Sequence, residues 1–147
     1  MVKTNINIAD TLLNSKLVKN FLKTEELNGF YSFKNEIKNY EDLIKKRSSF
    51  PVDKRLLLNN VVLKQYKNIR SLGLVSKSID ALKNPKTFTI TTGHQLCLNT
   101  GPIYFFYKIL HCIKISVELK KKYPKYNFVP VFWMASEDHD FEEIKSF

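Results

Sequence analysis

Two short runs rich in β-branched and aromatic residues, TFTITT at 87–92 and FVPVFWM at 128–134, bracket a long apolar and lysine-bearing stretch, IYFFYKILHCIKISVELKKKY at 103–123. Strand, helix, strand at this spacing is a βαβ unit. It constrains the fold more than any other feature of the chain. A right-handed crossover sets the two strands parallel and carries both carboxyl ends to one edge of the sheet, where open α/β sheets bind their ligands. TFTITT reads as a buried strand of the length of the run itself, and FVPVFWM, continuous in apolar residues, as a strand buried on both faces. The intervening helix is predicted to open near Gly101-Pro102. Ile103, Phe106, Ile109, Leu110, Ile113 and Val117 then share one broad apolar face, Lys120 to Lys122 fill the last turn, and Pro124 stops it.

The preceding residues read as helical. Leu13, Leu17 and Phe21 recur at helical spacing over 8–23, and Phe33, Ile37, Tyr40 and Ile44 do so over 33–47. The linking segment ELNGFYSF is expected to form a turn whose rings dock on the helices. Pro51 suits the first turn of a third helix whose apolar side is supplied by Leu56, Leu57, Val61, Leu63 and Tyr66 and which stops near Leu72 at Gly73. A short fourth helix, SKSIDALK, is expected to take Ser76 as its N-cap and to break at Asn84-Pro85. The expected fold is therefore α/β, a helical region over 1–84 followed by a βαβ unit over 85–147.

At 147 residues with 44% hydrophobic and 13% aromatic content, the chain can fill one packed core. It has no apolar run near the roughly 20 residues that span a bilayer and no secretory core at its start, so no membrane association and a cytoplasmic location are expected. Cys97 and Cys112 are not spaced as a secreted disulfide framework and read as free thiols. The net charge of +10 is mostly lysine; the arginines are Arg47, Arg55 and Arg70, and the lysines scatter over all helical segments. That pattern reads as solvated helix faces with attraction for small anions rather than as a nucleic-acid surface, although a basic nucleic-acid or anion-binding module stays open as an alternative.

Two polar segments fall at the strand ends. The first, TTGHQLCLNTGP, offers Thr92, Gly93, His94, Gln95, Asn99, Thr100 and Gly101, small residues and amides ahead of a helix N-terminus, a means of holding phosphate or carboxylate. It is neither a Walker loop nor G-x-G-x-x-G, and its glycines and caps can equally serve the backbone turn alone. The second, ASEDHD, places Glu137, Asp138, His139 and Asp140 in a row after an apolar strand, where ionised groups need partners or a ligand. Carboxylates flanking an imidazole suit general acid–base chemistry. The competing reading has Asp138 cap a helix that starts at His139, with Glu142 and Glu143 as solvated first-turn acids. His94, Cys97, His139 and Asp140 are all acceptable zinc ligands, but no C-x-x-C or H-E-x-x-H spacing supports a metal site and none is expected. His111 and Cys112, inside the long helix, are expected to pack.

TTGHQLCLNTGPIYFFYK followed by VPVFWMASEDHDFEEI closely resembles the bacillithiol biosynthesis cysteine-adding enzymes, and the resemblance extends back through FYSF and RLLLNNVVLKQY. It implies a Rossmann-like core related to class I aminoacyl-tRNA synthetases and nucleotidyltransferases, begun over 85–147 and truncated there, since members are several times longer. It further implies a coiled-coil region, a homodimeric complete protein and a ligase that joins cysteine to glucosaminyl-malate. ATP is the expected means of carboxyl activation; zinc is not expected. On this reading His94, Asp138, His139 and Asp140 are the catalytic candidates, and Thr92, Gly93, Gln95, Thr100, Gly101, Tyr104 and Glu137 bind substrate or nucleotide. His94 and His139 are expected to approach each other. The family loop often reads Thr-Gly-Gln-Gln where this chain has Thr92-Gly93-His94-Gln95, and the synthetases' His-x-Gly-His signature is missing. A class I nucleotidyltransferase-like enzyme with another substrate is the second alternative.

Overall fold

Strand β1 (Thr87–Gln95) lies parallel to β2 (Asn127–Ala135), in register from Thr87 against Asn127 to Gln95 against Ala135. The connection is helix α5 (Ile103–Lys122). This is the βαβ unit expected from the sequence, seen in a computed structural model that describes residues 4, 6–7, 11, 15–33, 36–97 and 101–138. Residues 1–43 and 44–147 form two compact units.

The first unit contains α1 (Lys16–Lys23), a 3-10 turn at Asn28–Phe30 and another at Ile37–Asn39. The α1 helix starts later than the apolar spacing over 8–23 predicts. Ser15 is extended, and its hydroxyl accepts the Val18 amide at 3.3 Å, an N-cap that defines the helix start. Of the rings in the linking segment Tyr31 docks as expected, edge-on to Phe21 at 5.4 Å between centroids, whereas Phe30 is exposed. The helix expected over 33–47 is shorter: α2 covers Tyr40–Arg47, and the turn ahead of it is 3-10.

In the second unit, α3 (Val52–Tyr66) and α4 (Leu72–Ala81) precede β1. Gly73 does not stop α3; it lies inside α4, and Ser76, expected as a cap, donates from within that helix to the Gly73 carbonyl at 3.2 Å. The join from α4 to β1 is held by one side chain. Arg55 of α3 is 6% exposed, and its guanidinium donates to the carbonyls of Leu82, Asn84, Thr87 and Pro85 at 2.9–3.4 Å. Phe50 lies against the guanidinium at 5.5 Å. One turn on, the buried Asn59 donates to the Ile79 carbonyl at 2.7 Å. A planar fork of donors fits several convergent carbonyls where a lysine would reach one or two.

Packing of α5 corrects the expected face. The residues turned to the sheet are Phe105, Ile109, Cys112, Ser116 and Leu119, and Leu119 is completely buried, a burial worth roughly 1.5–3 kcal/mol for a leucine. Of the predicted face only Ile109 is half-buried; Ile103, Phe106, Leu110, Ile113 and Val117 are exposed. Apolar residues occupy both sides of this helix, so periodicity alone could not choose between them. Small Cys112 and Ser116 decide it by letting the helix approach: the Cys112 thiol donates to the Ile90 carbonyl of β1 at 2.9 Å. Cys112 packs as expected, whereas His111 is exposed. β2 is not buried on both faces either, since Phe132, Trp133 and Met134 are exposed. Lys120 closes the turn into β2, donating to the Pro124 and Tyr126 carbonyls and to Asn127 Oδ1 at 2.9–3.2 Å.

Arg55→Leu removes hydrogen bonds to four buried or half-buried carbonyls and should destabilise the protein by about 2–4 kcal/mol in urea denaturation. Arg70→Leu, at an exposed position, should stay within about 0.5 kcal/mol of the parent. Equal effects of the two substitutions would show that Arg55 does not clamp the α4–β1 join.

Candidate functional site

β1 continues past TFTITT through Gly93, His94 and Gln95, which pair with Trp133, Met134 and Ala135. The residues expected in a loop are thus the last rungs of the ladder, and strand geometry sets where they point. Gly93 is required by close approach: a Cβ there would lie 2.8 Å from the Trp133 carbonyl oxygen. Gly101 is required by conformation, with φ at +66°, and by contact, since a Cβ would lie 2.6 Å from that of Cys97. Pro102 then caps α5.

His94 is the centre of the rim. It is 6% exposed, its ring set against Tyr104 and edge-on to Phe105 at 5.4 and 5.8 Å between centroids. Nε2 lies 3.0 Å from the Tyr104 hydroxyl; Nδ1 lies 3.1 Å from the Gln95 carbonyl and 3.2 Å from Cys97 Sγ. A neutral imidazole donates from one nitrogen and accepts at the other. The Tyr104 hydroxyl serves either tautomer, because it can donate or accept. One turn along α5, the Lys108 ammonium donates to the Gly93 carbonyl at 3.3 Å and stands 5.3 Å from the centre of the Tyr104 ring. Tyr104 and Lys108, spaced i, i+4, share this end of the helix.

The second polar segment reaches the first through one contact. Asp138, in the turn after β2, accepts from the Gln95 amide nitrogen at 3.2 Å. The turn is tied back by Ser136 N donating to the Met134 carbonyl and Asp138 N to that of Ala135. Among the sequence-selected residues the structure thus joins His94 with Tyr104 and Gln95 with Asp138, on a backbone that needs Gly93 and Gly101. Thr92 stands apart, lining a small cavity beneath α5 with Ile109, Cys112 and Val131, and Glu137 is exposed in the turn. Thr100, His139 and Asp140 lie outside the described residues, as does the expected approach of His94 to His139. Lys108 and the Cys97–His94 contact were missed. The i, i+4 spacing to Tyr104 was the available signal for Lys108; nothing in the spacing distinguished Cys97 as a partner of His94.

A parallel pair, an α-helical crossover and polar groups gathered at the carboxyl edge define the opening βαβ unit of a Rossmann-like domain. The particular family follows from comparison: the chain belongs to the family described as "Bacillithiol biosynthesis BshC, N-terminal Rossmann-like domain", whose model matches residues 1–147. It is 50% identical over 136 residues to a Flavobacterium psychrophilum protein named "Putative cysteine ligase BshC", covering 90% of this chain and 26% of that protein. Proteins of the same name from Flavobacterium johnsoniae and Cytophaga hutchinsonii are 49% and 43% identical, over 90% and 97% of this chain and 26% and 27% of their own lengths. The chain therefore spans about a quarter of these relatives. No helix among the described residues is long and apolar enough to cross a membrane.

Gly101→Ala should cost about 1–2 kcal/mol through its left-handed backbone alone and should push Cys97 from His94. Gly73→Ala, with nothing within 4 Å of the added carbon and an ordinary helical conformation, should be neutral or slightly stabilising. Thermal melts of both variants check this; a harmless Gly101→Ala would mean that the turn relaxes freely.

Proposed function

We propose that this chain supplies the substrate-binding rim of a ligase that joins the carboxyl group of cysteine to the amine of glucosaminyl-malate, giving bacillithiol. The observation that carries the reading is the Gln95–Asp138 hydrogen bond, which makes the two polar segments of a cysteine-ligase family one surface at the carboxyl edge. On this reading Gly93, Thr100, Gly101 and the start of α5 hold an anionic portion of substrate or nucleotide. Glu137, Asp138, His139 and Asp140 orient the amine, and Gln95 fixes the Asp138 carboxylate. The Tyr104 hydroxyl and the Gln95 carbonyl hold His94, the remaining catalytic candidate, at the rim by its Nε2 and Nδ1.

Amide formation needs an activated carboxyl group, and ATP is the co-substrate that would activate it. No metal enters the proposal. The activity belongs to the complete protein, which we propose acts as a homodimer in the cytoplasm.

Incubating the complete protein with ATP, cysteine and glucosaminyl-malate should yield bacillithiol by mass spectrometry. Asp138→Ala and His139→Ala should each lower kcat/KM by on the order of a hundredfold or more with the fold intact, whereas Glu143→Ala should change it little. A folded protein that makes no product overturns the ligase reading. Full activity in Asp138→Ala and His139→Ala overturns the residue assignment alone.

A further inference from the structure

We propose that the cavity at the amino end of β1 is a second binding site, remote from the rim, for a small carboxylate with an apolar body. Thr87 opens the strand and Gln95 ends it; at about 3.3 Å per residue the two ends lie roughly 26 Å apart. The cavity has a volume of about 380 Å³, within the range of roughly 300–1,000 Å³ typical of small-molecule sites. Its walls include Arg47, Arg55, Thr87, Phe50, Leu58 and Phe88, and no Asp or Glu among the described residues lines it. Two of the chain's three arginines therefore meet in one hollow. A cleft lined by one sign of charge between apolar walls concentrates its field, and this one draws anions.

Holding the α4–β1 join does not use up these groups. The hydrogen bonds of Arg55 leave from Nη1 and Nη2 and end on carbonyls. Carbonyl dipoles solvate the buried cation without cancelling its charge, and a buried charge that lacks a counter-ion is costly. Among the described residues Arg55 Nε and the Thr87 hydroxyl have no hydrogen-bond partner, although both atoms are buried and Thr87 is only 2% exposed. Such orphans are rare in folded proteins because each unmade bond costs free energy. The two are neighbours, since the same guanidinium holds the Thr87 carbonyl at 2.9 Å. Phe50, which lies over the guanidinium, is itself 45% exposed, so its ring can turn outward and open both donors to the cavity.

The donor set selects the head group. Two neighbouring donors, with the exposed Arg47 as a second guanidinium, suit the two oxygens of a carboxylate through charge-assisted hydrogen bonds. A phosphate would press further oxygens against Leu58 and Phe88, which suit a hydrocarbon or aryl body instead. The bound anion supplies the counter-charge that Arg55 lacks, at the join that sets where β1 begins.

The test titrates 3-phenylpropionate into the complete protein by isothermal titration calorimetry, with 3-phenylpropanamide as the uncharged control and inorganic phosphate as the bare anion. The carboxylate should fill one saturable site per chain, and the amide should bind at least about tenfold more weakly, the loss expected when a charge-assisted hydrogen bond becomes a neutral one. Arg47→Gln, at an exposed position that the fold tolerates, should weaken the carboxylate by about tenfold, whereas Arg70→Gln, exposed and outside the cavity, should leave it unchanged. Absence of saturable binding up to about 10 mM overturns the proposal, as does binding that Arg47→Gln leaves intact, which puts the probe elsewhere. Phosphate that binds as tightly as 3-phenylpropionate overturns the assignment to a carboxylate with an apolar body.

Discussion

Everything at the rim depends on the parallel pairing of β1 with β2. Parallel neighbours cannot be joined by a tight turn, so the chain must return the length of the sheet through a crossover. Here α5 makes that return, seated on the strands by the fully buried Leu119 and by the Cys112 thiol on the Ile90 carbonyl. The in-register ladder then ends with Gln95 beside Ala135, three residues before Asp138. The meeting of two polar segments far apart in sequence is a consequence of that ladder.

Close approach at the strand ends limits what can occupy them. Gly93 passes the Trp133 carbonyl at a distance no side chain tolerates, and Gly101 turns the backbone left-handed against Cys97. These contacts leave His94 enclosed by Tyr104 and Phe105 with every ring nitrogen partnered. A buried imidazole without partners would cost free energy for each unmade bond. With partners on both sides the ring is fixed in place at the rim.

Charge in this molecule divides by side-chain geometry. Lysines lie mainly on exposed helix faces, and Lys120 and Lys108 add local service by capping carbonyls at a turn and at the rim. Arg55 is different in kind, a guanidinium in the interior that gathers the carbonyls of the α4–β1 join and so sets where β1 begins. In the sequence it was one cation among many, because composition records charge and not burial.

Residue pattern alone determined the βαβ order, the start of α5 at Gly101-Pro102, its lysine-rich end and the location of polar groups at one sheet edge. Those follow from local propensity, turn chemistry and the fixed hand of the crossover, all written over short stretches of chain. Tertiary structure decided which side of α5 faces the sheet, since Phe106, Leu110 and Ile113 are as apolar as Phe105 and Ile109 and only the fit of Cys112 and Ser116 against the strands separates them. It also drew Gly93, His94 and Gln95 into β1, because a strand's length is set by the partner available to pair with it; β2 continues to Ala135, so β1 continues to Gln95. The contacts of His94 with Cys97 and Tyr104, and of Gln95 with Asp138, are likewise tertiary. Spacing along a chain can place residues on one edge, but which atoms touch there depends on backbone approach distances of a few ångströms that no linear pattern encodes.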